Sequence, residues 1–593
     1  MFSDEDVEDQ GDVEDNENED DLNVFDAFEY HADYIFGNFR VDGESNPNIL
    51  PSGARIIEKI SSDVMSLKNI CLKSISKNVS RFNAAFSITK DVNFRRNLHY
   101  LRKVHSPYLI QEILKEKNEL EESYLDFLIH EHLEEIQMAI FPETAWKSVI
   151  KRISEVGHGF QKVDFMFKEE LMEDLDKYID FVNKVVCHLT NVKYLNLNSC
   201  CDDRTLGIIG SSCLLLNELH FNECPITEEG LKFLCQKNKD NEIGLKLKIL
   251  NISDAGGMQE GITYLLQNMP SLEVIEHNDL PNIIYDLHKE EMNNNTLRKK
   301  YNLTTLRLGT SAPWEEIPSI SEILALLIDV CPHVKEISLS LNSKEHLDLC
   351  LGFPELEIFR VINIEPSLYL DINGFLEAKG RFLKKLEIER FHLSAAVLTE
   401  NCQMVEDLTL TDINFQPLEP GVTLNPLKKL SQLQLVSFRF HNNVICQSLI
   451  NILNASPNVE KLVLSDCRFG DNEEIITSLS KFCENGKLQH LKFINCDVQE
   501  PFLQSVLLTC TTLSTLSVEY CDSIFSFHMD NLYQISQTLK NDVKIEWIDT
   551  RSELNSIDSN GDGIFDNYYD YDSDDYEYYD SDNLYYAYDS DGF

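Results

Sequence analysis

Apolar residues recur along most of this chain in one short frame, L-x-x-L-x-L, with other aliphatics or Phe in some of the Leu places. The second apolar residue of the frame falls at Leu195, Leu219, Leu250, Ile275, Leu306, Ile337, Phe359, Leu386, Leu408, Leu433, Leu462, Leu491 and Leu516, at steps of 22 to 31 residues. The L-x-L alternation has the period of a strand, so the Leu side chains take one face and the residues between them the other. Stretches between the frames, such as "SISEILALLIDVC", "ICQSLINILNAS" and "EEIITSLSKFC", carry apolar residues at helical spacing and predict returning helices. A strand-and-helix unit of this kind cannot bury its own apolar face and must stack on the next, which makes a solenoid. Its outward strand residues then form one continuous concave face. Asn196, His220, Asn222, Arg307, Arg360, Glu387, Glu389 and Lys492 are the candidate substrate-binding residues on it.

Five copies extend the frame to a cysteine: "VKYLNLNSC", "LNELHFNEC", "VEKLVLSDC", "LQHLKFINC" and "LSTLSVEYC". Across residues 186–548 the array resembles the cysteine-containing and ribonuclease-inhibitor-like leucine-rich repeats. The resemblance implies an α/β, horseshoe-like solenoid with the strands on its concave side. Irregular spacing and missing cysteines predict variable loops in the middle repeats, and "VKIEWI" (Val543–Ile548) is expected to close the last turn. The cysteines lie a whole repeat apart or adjacent, as at Cys200 and Cys201, unlike the close C-x2-4-C pairs of zinc sites, so no metal is predicted.

Upstream, over residues 53–185, the period changes to 3.6. "LEESYLDFLIHEHLEEIQMAIF" and "FKEELMEDLDKYIDFVNKVVCHL" predict amphipathic helices, the second a cap over the first repeat. "HEHLEE" lacks the second histidine of a metalloprotease helix, because position 134 is Glu134.

The stretch "SLKNICLKSI" sits in this helical region. Val64, Leu67, Cys71, Ile75, Asn78 and Phe82 make a single stripe on one helix. Ser66, Leu67, Cys71 and Ile75 also match [APST]-L-x-x-x-C-x-x-x-[AILV], which resembles the BC-box by which substrate receptors of cullin–RING ubiquitin ligases bind elongin C. Further on, Pro107, Ile110 and Leu114 are similar to a cullin-binding box, with Ser106 where that box has an apolar residue. A BC-box helix ahead of a repeat array resembles the Zyg-type leucine-rich-repeat receptors, although their armadillo-like repeats are missing here. The resemblance implies partnership with elongin C, elongin B and a cullin. The same stripe also suits a helix that packs into its own domain.

Charge adds a second possibility. The chain of 593 residues carries a formal net charge of -48, and residues 1–40 and 552–593 together hold 27 of those excess negative charges. The regions 1–52 and 549–593 are therefore expected to be disordered acidic tails, the second rich in Asp and Tyr. Such tails suit basic protein partners, histones for example, and a chain so acidic does not suit nucleic acid. "DSNGDGIFD" has the start of a calcium loop, at Asp558, Asn560, Asp562, Gly563 and Asp566, but Tyr569 stands where the twelfth-position Glu belongs. No phosphate-binding loop, nucleophile elbow or F-box pattern is found, and no cofactor is implied. No secretory or membrane-spanning segment is recognisable, which predicts a cytoplasmic or nuclear protein. The sequence reads as a binding protein rather than an enzyme. Its leading reading is a ligase substrate adaptor, and its alternative is an acidic-tailed scaffold or chaperone.

Overall fold

The computed structural model describes Leu125 and residues 128–548, apart from 168–173, 236–245, 254–257, 295–298, 309–318, 366–367, 420–421, 441, 471 and 540–542. Six strands make a first parallel sheet: β1 Glu135–Gln137, β2 Lys162–Asp164, β3 Tyr194–Asn196, β4 Glu218–His220, β5 Ile249–Asn251 and β6 Val274–Glu276. A second parallel sheet has ten: β7 Thr305–Leu308, β8 Glu336–Leu341, β9 Ile358–Asn363, β10 Lys385–Glu389, β11 Asp407–Thr411, β12 Gln432–Val436, β13 Lys461–Ser465, β14 His490–Ile494, β15 Thr515–Glu519 and β16 Lys544–Ile548.

The register is the one the apolar frame dictates. Leu195, Leu219, Leu250 and Ile275 stand opposite one another in the first sheet. Leu306, Ile337, Phe359, Leu386, Leu408, Leu433, Leu462, Leu491 and Leu516 do the same in the second. All of them are buried in one core that runs through both sheets. Helices such as Asp203–Ser212, Ile320–Val330 and Asn443–Asn454 return on the other side of that core. Parallel strands lie about 4.8 Å apart whereas helices need about 8–10 Å, so the sheet takes the inner radius and becomes the concave face.

Two expectations change at the N-terminal end. The ladder begins at β1 rather than after residue 185, because Ile136 and Val163 continue the Leu195 column upstream. The segment expected to be one helix from Leu120 to Phe141 has turned by His132 and enters β1, where Ile136 alone points inward between exposed Glu135 and Gln137. The helix Leu175–Val186, capped by the Asp174 carboxylate, is the return between β2 and β3 and not a terminal cap. At the other end, Val543–Ile548 does extend the sheet: Ile545 pairs with Leu516.

Eight of the sixteen strands, β3, β4 and β10 to β15, leave the sheet by the same device. Ser199, Glu223, Arg390, Asp412, Ser437, Asp466, Asn495 and Tyr520 all have positive φ, between 45° and 61°. In seven of these eight the residue's N–H still donates to the next strand, as Asp466 N does to Ile494 O at 2.9 Å. The left-handed step then swings the following side chain into the core. In five repeats that side chain is Cys200, Cys224, Cys467, Cys496 or Cys521, whose Sγ donates to carbonyls at the turn, for example Cys496 to Leu464 O at 3.4 Å. In the middle repeats Phe391, Ile413 and Phe438 take the place, and a small sheet of Leu370–Asp371, Phe391–Leu393 and Asn414–Phe415 forms behind it. Burial pushes thiols such as Cys213 and Cys331 up to about 12, so they are packing groups and not nucleophiles. No described helix is long and apolar enough to cross a membrane.

Helices of successive repeats approach closely where glycine allows it. A Cβ on Gly210 would sit 2.7 Å from Leu234 O and 3.0 Å from Phe233 O, whereas one on Gly207 meets nothing nearer than 3.7 Å. Gly210→Val is therefore expected to destabilise the solenoid by roughly 2 kcal/mol, lowering its thermal midpoint. Gly207→Ala, on the same helix, should leave the midpoint unchanged or raise it.

Candidate functional site

The outward residues of the ladder form columns along the concave face. The central column runs Asn196, His220, Asn251 and Glu276 in the first sheet. It continues Arg307, Ser338, Arg360, Glu387, Thr409, Gln434, Val463, Lys492 and Ser517 in the second. Six of the eight residues expected on the face, all but Asn222 and Glu389, belong to this column.

The first sheet presents little free chemistry. Asn196 and His220 are buried; Asn196 Oδ1 accepts from Asn198 N at 3.2 Å, and His220 Nε2 meets Glu218 Oε1 at 2.8 Å. Asn222 lies just past β4, where its Oδ1 accepts from Ser253 N at 3.0 Å. These amides join one turn to the next. Arg307 is held by Glu276 at 3.0 Å.

Across β8–β11 the charges are tied to one another. Arg360 lies between Glu336 and Glu387, its Nε 3.0 Å from Glu387 Oε2. Lys385 then reaches both Glu387 Oε1 and Asp407 Oδ2, each at 2.9 Å. Burial works against the charge on Arg360, but Glu387 and Glu336 outweigh it and raise the guanidinium's pKa; Glu387 and Asp407 do the same for Lys385. The chain of alternating charge is thus self-neutralising.

Glu389 ends β10 in a different setting. Burial pushes its carboxyl up to about 7; Arg390, with Nε 3.7 Å from Oε1, opposes the shift and Asp412 reinforces it. Glu389 Oε2 is buried with no hydrogen-bond partner. Asp412 is held beside it by the Tyr369 hydroxyl, which lies 3.1 Å from both carboxylate oxygens.

The face changes again at β12–β14. Lys492 pairs with Glu519 at 2.8 Å, but Lys461 has no carboxylate within ion-pair distance among the described residues. Burial lowers its ammonium pKa; Asp407 opposes this, and Lys492 and Lys385 add to it. Lys461, His490, Gln432 and Gln434 were not singled out from the sequence, although the outward positions of "VEKLVL", "LQHLKF" and "LSQLQLV" contain them. What distinguishes them is the lack of a partner, which only the fold reveals. Ser66, Leu67, Cys71 and Ile75, and likewise Pro107, Ile110 and Leu114, lie outside the described residues. Among the described residues no group of three His, Cys, Asp or Glu is placed to hold a metal.

No family model and no curated protein matches the sequence. Among solved structures, the yeast complex of Rad7 and Elc1 aligns at 13% identity, covering 82% of this chain and 98% of that one, with a TM-score of 0.37. The leucine-rich repeat-containing protein LegL7 of Legionella pneumophila aligns at 12% identity, covering 59% and 97%, with a TM-score of 0.26.

Glu389 yields a pH test. Its folded pKa of about 7 lies above the ordinary 4.5, so below 4.5 the buried carboxyl is protonated in both folded and unfolded chains and does not disfavour folding. As pH rises from 4.5 to about 7 the unfolded chain gives up that proton while burial keeps it on the folded chain, so stability falls across this window, and the fall is complete once the folded carboxyl also ionises. Glu389→Gln should raise the thermal midpoint at pH 8, by an amount equivalent to at least about 1 kcal/mol, and the difference should shrink steadily on acidification and vanish only below the ordinary value of 4.5. By its register, repeat unit and continuous core, this chain is a leucine-rich-repeat solenoid.

Proposed function

We propose that this chain is a protein-binding adaptor, a substrate-recognition subunit of an elongin BC–cullin ubiquitin ligase. The observation that carries the adaptor reading is the concave face itself. Its outward columns run across both sheets, and at β12–β14 they keep polar and cationic side chains with no partner among the described residues. A face that served stability alone would be neutralised throughout, as it is across β8–β11. In this reading the substrate lies on that face and nothing in the chain catalyses.

The ligase connection rests on the sequence ahead of the ladder. Leu67 and Ile75 on the stripe would fill apolar pockets of elongin C, while the small Cys71 between them lets the two backbones approach. Pro107, Ile110 and Leu114 would meet a cullin. A second reading is favoured by one feature, the concentration of 27 of the 48 excess negative charges in the two terminal regions. It makes the chain a scaffold for basic proteins such as histones, held by tails rather than by the sheet.

Pulldown of the full chain with purified elongin B–elongin C separates the two. Capture is expected for the wild type and loss for Leu67→Ser whose circular dichroism is unchanged. No capture by the wild type defeats the ligase reading. Histone binding that survives Leu67→Ser, disappears when both terminal regions are removed and weakens steeply with salt establishes the scaffold.

A further inference from the structure

The stretch of the concave face from β12 to β14 differs from the rest in what it leaves unsatisfied. The side chains of Gln432 and Gln434 on β12, Lys461 on β13 and His490 on β14 make no hydrogen bond or ion pair with any described residue. Strand register sets Lys461 directly between Gln432 and His490, and Gln434 beside Val463. With strands about 4.8 Å apart, one bound segment can touch all of them. The nearby carboxylates are already engaged: Asp407 holds Lys385 at 2.9 Å, and Glu519 holds Lys492 at 2.8 Å while accepting from Ser517 Oγ at 2.9 Å. Lys461 is therefore a half-buried cation without a counter-ion among the described residues, on a chain with a net charge of -48.

Val463 alternates with inward Leu462 and Leu464, so it is on the same side as Lys461, but neighbouring side chains cover it and leave Lys461 as the strand's one accessible outward group. A lone ammonium asks for a carboxylate. The two glutamine amides offer both a donor and an acceptor, which suits a peptide backbone. A phosphate backbone fits poorly, because it carries a charge at every unit and would meet one free lysine rather than a row of them.

We propose that the β12–β14 portion of the concave face binds an extended partner segment that carries a carboxylate side chain, with Lys461 taking the carboxylate. The inference rests on the concave face being the partner-binding surface, and it adds where on that face the partner sits and what chemistry it carries.

Fluorescence anisotropy of the full chain with a fluorescein-labelled nonapeptide repeating Glu-Val-Ser tests it, with a Lys-Val-Ser repeat as the opposite-charge probe. The Glu-Val-Ser peptide should bind, and Lys461→Glu should weaken it about tenfold or more, the effect of one charge-assisted contact. Lys344→Glu makes the same charge change on the helix Lys344–Leu349, away from the sheet, and should leave binding within about twofold. Since the Lys461 side chain faces outward, its variant should keep the wild-type thermal midpoint, which is measured alongside. No binding by the wild type, an equal loss in both variants, or tighter binding of the Lys-Val-Ser peptide would each overturn the proposal. Leu67→Ser is expected to bind the peptide normally. Peptide binding without elongin capture leaves this site standing and removes the ligase reading, whereas elongin capture without peptide binding removes only the site.

Discussion

Every strand of a parallel ladder must pass its N–H and C=O groups to a neighbour in the adjoining repeat, and it can do so only in one register. Slipping by one residue would turn Leu462 out and Lys461 and Val463 in, against a core that runs unbroken through the molecule. Much else follows from that demand. Inward positions become a column of Leu, Ile and Phe. The chain leaves eight of the sixteen strands by the same step, where eight residues other than glycine accept a left-handed conformation. Loops between the strands are free to vary, and steps of 22 to 31 residues are absorbed without disturbing the ladder.

The same register brings outward residues of successive repeats face to face, so charge on the concave side is a property of neighbouring strands rather than of single residues. From β8 to β11 it alternates: Glu336, Arg360, Glu387, Lys385 and Asp407 each have an opposite charge at hand. Such a chain satisfies partly buried ions that would otherwise be expensive, and it offers little to an incoming ligand. At β12 the alternation stops. Uncharged amides replace carboxylates at Gln432 and Gln434, and the lysine that follows is left without its counter-charge.

Much of this fold was legible in the sequence because a strand period of two inside a longer repeat is written directly in apolar positions. Leu195 to Leu516 fall on the observed columns for that reason. The two earliest strands were harder to find. Ile136 sits in "EEIQMAIF", where acidic and apolar residues also match a helical stripe, and only pairing with Val163 decides for the strand. The candidate site was legible as a face but not as a set of roles. His220 and Arg360 look alike as outward polar residues in the sequence. Their partners, Glu218 two residues away and Glu387 on the next strand of the sheet, are what make both of them structural. Lys461 was passed over because solitude has no sequence signature.

Between β6 and β7 the ladder changes hands. No strand pairing joins them; among the described residues the junction is bridged by Thr304, whose N–H and hydroxyl both donate to Glu273 O, by the ion pair of Arg307 and Glu276, by Lys299 and Asn302 donating to carbonyls of the preceding repeat, and by the continuous core. A solenoid shares its stability only between neighbours, so its cooperativity is set by its weakest junction. This junction divides the molecule into two hydrogen-bonded blocks, each with its own sheet and turns. Under tension, or during synthesis from the ribosome, the six-strand block can complete its ladder before the ten-strand block exists. The seam is a break in the strand ladder alone, because the apolar core runs on across it.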